Sequence, residues 1–321
     1  MKISQLFLAL CAAVAGASSV AQPYPTKPMR FLVGFTPGGA SDITTRIIGQ
    51  KLNEQFGQPV IIDNRAGAAG AIAARIVAQA APDGHTLLSG ATSILAINPA
   101  LSPKLDYDPV KDFAPVSHML SMPQVLVAHP SVKAANLREL IALAKARPGE
   151  LNYSSSGGGS SSHLAVELLK FMTGINLVHV PFKGSGQSMP ALLAGQVQLI
   201  FDPIPTSLPH VRSGRLRALA ISTAKRSPAI PELPTAAESG VPGYESSLWY
   251  GVLVPAATPA PIVLRLNKAL NDALRSPDLI ERFAALGAEP TGGTPAAFGK
   301  TIHDEIAKWG KVVKSAGIKG E

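Results

Sequence analysis

An apolar run of strand length, Met29-Arg30-Phe31-Leu32-Val33-Gly34-Phe35, empties into Thr36-Pro37-Gly38-Gly39-Ala40-Ser41-Asp42. An amphipathic stretch carrying Ile43, Ile47, Ile48, Leu52 and Phe56 follows at once. A strand, a glycine turn and a helix in that order constrain the fold more than any other feature, because together they open an α/β unit. Such a turn leaves backbone N–H groups unpaired at the helix start, where an oxygen-rich anion can receive them. A plain connection with no ligand shares this local sequence. A second loop of the same kind weighs against the plain reading: Ser154-Ser155-Ser156-Gly157-Gly158-Gly159-Ser160-Ser161-Ser162-His163 also follows a short strand and precedes a helix.

The alternation continues along the chain. Strands are predicted over residues 59–62, 85–89, 114–119, 124–128, 151–153, 177–182, 197–201, 216–222 and 244–254. Helices are predicted over 69–80, 137–146, 163–172, 188–193, 261–274, 277–286 and 295–315, with a proline-broken segment over 98–109. Such a pattern argues for mostly parallel sheets covered by helices. No flexible linker divides the chain into halves. That suits two lobes joined by crossing strands near 120–126 and 243–250, with residues 22–122 and 246–321 in one lobe and 123–245 in the other.

The N-terminus reads as an export leader over residues 1–21. Lys2 is followed by an apolar stretch too short to span a bilayer, and Ser19-Val20-Ala21 offers small residues for cleavage. Its removal takes away Cys11, the single cysteine, and with it any disulfide, thiolate ligand or thiol nucleophile. About 300 residues then remain, more than one core usually serves. No later apolar run approaches the roughly twenty residues of a membrane span, so an exported, soluble protein is expected. The chain carries 29 Lys and Arg against 21 Asp and Glu, for a net charge of +8. These basic residues are scattered rather than interleaved with aromatics, which argues against nucleic-acid binding. A mild attraction for anionic solutes follows instead.

A backbone cradle suits a carboxylate because its donors are fixed in direction and carry no charge of their own to desolvate. Hydroxyls of Thr36, Ser155, Ser156, Ser160 and Ser161 would add adaptable donors. Asp42 is placed to cap the helix behind it and to brace the turn. His163 either caps its helix or contacts a ligand. Asp202, at the end of a strand, either meets a ligand amine or caps a helix beginning near Pro203. Enzyme motifs fail. Ser222-Thr223-Ala224-Lys225 lacks the partner motifs of the serine–lysine enzymes, Gly159-Ser160 is no nucleophile elbow, and the seven histidines have no metal spacing.

Several segments together resemble the tripartite tricarboxylate transporter solute receptors, the Bug family of periplasmic binding proteins. They include Tyr24-Pro25, Phe35-Thr36-Pro37-Gly38-Gly39 with Asp42, Gly57-Gln58-Pro59-Val60, Asn64-Arg65-Ala66-Gly67 and Pro82-Asp83-Gly84-His85-Thr86-Leu87-Leu88. Tyr107-Asp108-Pro109, His163-Leu164-Ala165, His179-Val180-Pro181-Phe182-Lys183-Gly184, Gly195-Gln196-Val197 and Leu216-Arg217-Ala218-Leu219-Ala220 extend the match over nearly the whole chain. The resemblance implies a two-lobed, type II periplasmic-binding fold that closes over one small organic acid without a cofactor or metal. It implies a monomer in the periplasm that delivers its acid to membrane permease subunits or reports it to a sensor. An α/β enzyme acting on a carboxylic acid is the remaining alternative. The family's ligand loops correspond here to Thr36, Gly38, Gly39, Ala40 and Asp42; to Thr92 and Ser93; to Ser155, Ser156, Gly157, Ser160 and His163; and to Asp202.

Overall fold

The computed structural model describes residues 24–102 and 104–318. The leader expected over residues 1–21 lies outside them. Eleven strands form two sheets among the described residues. The first sheet holds β1 (Met29–Val33), β2 (Val60–Asn64), β3 (Thr86–Ala91), β4 (Phe113–Met122), β10 (Leu248–Pro255) and β11 (Glu289–Pro290), in the spatial order β11-β4-β10-β3-β1-β2. The second holds β5 (Gln124–Ala128), β6 (Asn152–Ser155), β7 (Val178–Pro181), β8 (Leu199–Pro203) and β9 (Arg217–Ile221), in the order β7-β6-β8-β5-β9. Helices cover them: α1 (Ala40–Phe56), α2 (Ala71–Ala78), α3 (Asn98–Leu101), α4 (Leu137–Ala146), α5 (Ser161–Thr173), α6 (Ser185–Leu193), α7 (Ile204–Arg212), α8 (Ala260–Leu274), α9 (Pro277–Ala285) and α10 (Pro295–Ala316).

The two-lobed α/β fold holds, but the sheets are mixed rather than mostly parallel. Strands β1–β2, β1–β3, β6–β7 and β6–β8 pair parallel. The pairs β3–β10, β10–β4, β4–β11, β5–β8 and β5–β9 run antiparallel. The reason lies in the crossings. Strand β4 ends at Met122 and β5 begins at Gln124, with only Pro123 between, so the chain passes directly from one sheet to the other. A strand that changes sheets is not held to the right-handed βαβ crossover that makes neighbours parallel.

Periodicity explains the layers. In β5, Leu126 and Ala128 pack into one apolar cluster of the second lobe, while Val125 and Val127 pack into another. Side chains alternate across a strand, so this sheet is covered on both faces. In the first lobe, Ile47, Ile48 and Leu52 of α1 join Phe31, Leu32 and Val33 of β1 in a single core. Gly57, in the left-handed region, ends α1 by donating its N–H to Asn53. Within 98–109, read from sequence only as proline-broken, the described chain continues a π-helical turn (Ser93–Ile97) into α3. The hydroxyl of Tyr107 donates to the Ile94 carbonyl at 2.6 Å and pins that turn. Strand β11, of two residues, was also not expected.

Candidate functional site

The loops leaving the carboxyl ends of β1, β3, β6 and β8 converge between the lobes, where ligands of open α/β sheets bind. Phe35, Gly39, Ala40, Ser41, Ala91, Ser93 and Leu248 with Tyr250 line one side of a shared cavity. Gln124, Ser156, Ser160, Ser161, Ser185 and Pro203 line the other. With the lobes in contact its volume is about 20 Å³, room for little more than one water molecule.

Four helix N-termini open onto that space. Helix α1 contributes Gly39 through Ser41, α5 contributes Ser160 and Ser161, α6 contributes Ser185, and α7 begins directly after Pro203. The caps of α1, α6 and α7 (Gly39, Gly184 and Pro203) make no side-chain capping bond. Their first-turn N–H groups therefore look outward for an acceptor. Each terminus adds roughly half a positive charge, and among the described residues no lysine, arginine or histidine lines the cavity. Backbone donors and helix dipoles therefore give this space a positive bias without a charged side chain. Its one orphaned hydroxyl at α1, Ser41 Oγ, is buried without a hydrogen-bond partner.

Closure is held by direct contact between lobes. The Thr36 N–H donates to the Lys183 carbonyl at 3.2 Å. Gly186 lies so close to the Pro37 carbonyl oxygen that any Cβ there would overlap it. On the opposite rim the serine loop meets α3: a Cβ on Gly159 would stand 2.9 Å from Asn98 Oδ1.

Of the residues expected to bind, Gly39, Ala40, Ser93, Ser156 and Ser160 line the cavity. The others do not line it. Gly38 is exposed, with φ +79°, and its N–H donates to Asp42 Oδ2 at 3.0 Å. Asp42 also pairs with Arg46 at 2.9 Å, so this carboxylate braces the turn and is not its N-cap, which is Gly39. Burial pushes the Asp42 carboxyl up, but hydrogen bonds from Arg46 and Gly38 outweigh burial and hold it below the usual range. Thr36 is engaged with Lys183. Thr92 Oγ1 accepts from the Trp249 N–H at 2.9 Å and ties β3 to β10.

In the second lobe, Ser155 Oγ accepts from the Gly157 N–H at 3.1 Å and meets His179 Nε2 at 2.6 Å. Gly157 is held at φ +129° beside the Phe182 carbonyl. His163 Nδ1 accepts from the Gly159 N–H at 3.1 Å, and its ring stacks on His179 with centroids 4.0 Å apart. The imidazole therefore supports the loop from behind. Asp202, fully buried, accepts from Ser185 Oγ at 2.6 Å and from Thr206 Oγ1. Burial raises its pKa to about 6, the two hydroxyls opposing that rise. Sequence reasoning missed Ser41, Gln124, Ser185, Leu248 and Tyr250. Ser185 had a signal: it follows a third strand–glycine–helix junction at Gly184, hidden because the helix was expected to begin only at Ser188.

A family model described as the tripartite tricarboxylate transporter family receptor matches residues 44–318. Protein BugT of Bordetella pertussis is 41% identical over 315 residues, spanning 98% of this chain and 96% of its own. Among solved structures, Rpa4515 of R. palustris with adipate superposes with a TM-score of 0.90 at 41% identity, covering 92% of this chain and 99% of its own. MatC (Rpa3494) from Rhodopseudomonas palustris with bound malate gives 0.87 at 36% identity, covering 90% of this chain and the whole of its own. Sequence and fold thus agree, and the chain belongs to the tripartite tricarboxylate transporter receptor family.

Proposed function

We propose that this receptor captures a small organic acid between its lobes, in the periplasm, and presents it to the membrane subunits of a tripartite tricarboxylate-type transporter. The observation that carries this reading is the convergence of four helix N-termini on a cavity whose lining has no basic side chain. Backbone N–H groups and Ser41 Oγ would hold a carboxylate without the desolvation cost of a buried cation. The adipate and malate named with the two solved relatives are acids of this class.

The mechanism is hinge closure. The cavity is narrow as the lobes stand, about 20 Å³, so the lobes part to receive an acid and then close to the width that it sets. We place the hinge at the crossings near residues 122–123 and 245–246, which divide the chain into the lobes expected from sequence. Binding proceeds without turnover in this account, and conversion of a bound acid would overturn it. A thermal-shift screen of organic acids tests the reading. A true ligand at a hundred times its Kd stabilises the fold by about 2.7 kcal/mol; a chain indifferent to every acid is not this receptor.

A further inference from the structure

Two side chains of the second lobe give one part of the cavity a polarity opposite to the helix termini. Ser185 lines the cavity and donates its hydroxyl hydrogen to Asp202 Oδ1 at 2.6 Å. A hydroxyl has one hydrogen, so the oxygen keeps only lone pairs to offer. Gln124 also lines the cavity and is 1% exposed. Its Nε2 faces the Phe201 carbonyl at 3.5 Å. A carbonyl only accepts, so the amide nitrogen belongs on that side, and Oε1 is left buried without a partner. The two acceptors share one neighbourhood. Gln124 stands in register with Pro203 at the end of β8, and Ser185 bonds the preceding residue, Asp202.

An orphaned buried acceptor is costly until a donor reaches it. A plain alkyl chain leaves both oxygens unmet, and a second carboxylate sets charged oxygen against them beside the buried Asp202. Resting on the receptor reading above, we propose that Gln124 and Ser185 form an acceptor subsite selecting acids that carry an O–H or N–H donor beyond the carboxylate. Hydroxy and amino acids are then preferred over their donor-free counterparts.

The test is calorimetry on a panel of three- to six-carbon mono- and dicarboxylic acids, each matched to its hydroxy and amino analogues (succinate with malate and aspartate, for example). The tightest binder should carry a donor and exceed its plain counterpart about fivefold or more, the worth of one neutral hydrogen bond. Gln124→Met should erase most of that gap, weakening the donor-bearing acid more than its plain counterpart. Ser185→Ala probes the second acceptor independently should the first variant fold poorly. A donor-free acid as the tightest binder overturns the subsite and leaves the receptor reading intact, as does a uniform loss across the panel in both variants. Binding of no acid at all removes the receptor reading and the subsite with it.

Discussion

The two glycine-rich lips are alike in sequence position and opposite in construction. In the first, the donors are main-chain groups at α1, capped by a glycine that has no side chain to satisfy them. Its one charged side chain, Asp42, turns back to Gly38 and Arg46. In the second, the hydroxyl oxygens are largely taken up by the loop's own backbone. Ser160 Oγ accepts from the His163 N–H at 3.2 Å, Ser162 Oγ accepts from the Ser156 N–H at 2.9 Å, and the two hydroxyls meet at 3.0 Å. A count of serines is therefore not a count of free donors. The first lip leaves its helix-start N–H groups to a ligand, while the second uses its hydroxyls to hold a glycine-rich loop in one shape against His163 and His179.

The largest effect is expected where the lips meet the facing lobe. Gly186→Val places a side chain against the Pro37 carbonyl and should prevent closure without disturbing either core. Affinity for an acid should fall roughly a hundredfold, the effect of a closed state made about 3 kcal/mol less accessible. Scattering should then show no compaction when the acid is added. Unchanged affinity would mean that the jaws need not touch.

Asp202 comes next. Its pKa of about 6 in the fold lies above the roughly 3.9 of an unfolded chain. The stability it contributes is therefore complete below about pH 4 and lost as pH rises through 6. Asp202→Asn lacks that titration. Across this window the variant should gain on the parent by roughly 2–3 kcal/mol, read from denaturant unfolding at stepped pH. A difference that stays flat would show the carboxyl to be less isolated than its burial implies.

Smaller effects separate the lips themselves. Asp42→Ala removes the brace from Gly38 and should cost about 1–3 kcal/mol of unfolding free energy, since it deletes bonds to a charged group. Ser160→Ala removes the cap of α5 and should cost about 1 kcal/mol. If the second lip mainly keeps shape, Ser160→Ala lowers stability and affinity together, and exchange protection of Gly159 and His163 amides falls with them.

Much of this architecture was legible from periodicity. Helix α4 begins and ends where the apolar spacing and Pro148-Gly149 place it. The strand directions were not legible, because alternation of elements says nothing of chains that cross between sheets at Pro123. The turn at Ser93–Ile97 was hidden for a different reason: an apolar run has no period to reveal π-helical winding, and it is fixed from afar by Tyr107. In the site, the glycine turns gave away the lips. Gln124, Leu248 and Tyr250 belong to strands β5 and β10, where a sequence shows only core.

A crystal structure with an acid from the thermal-shift screen bound decides whether both lips grip one carboxylate. Carboxylate oxygens should lie within hydrogen-bonding distance of N–H groups at the α1 terminus and of the Ser156–Ser161 loop at once, with both lobes closed on one molecule. A carboxylate held by a single lobe, or paired with a lysine or arginine outside this cleft, would contradict it.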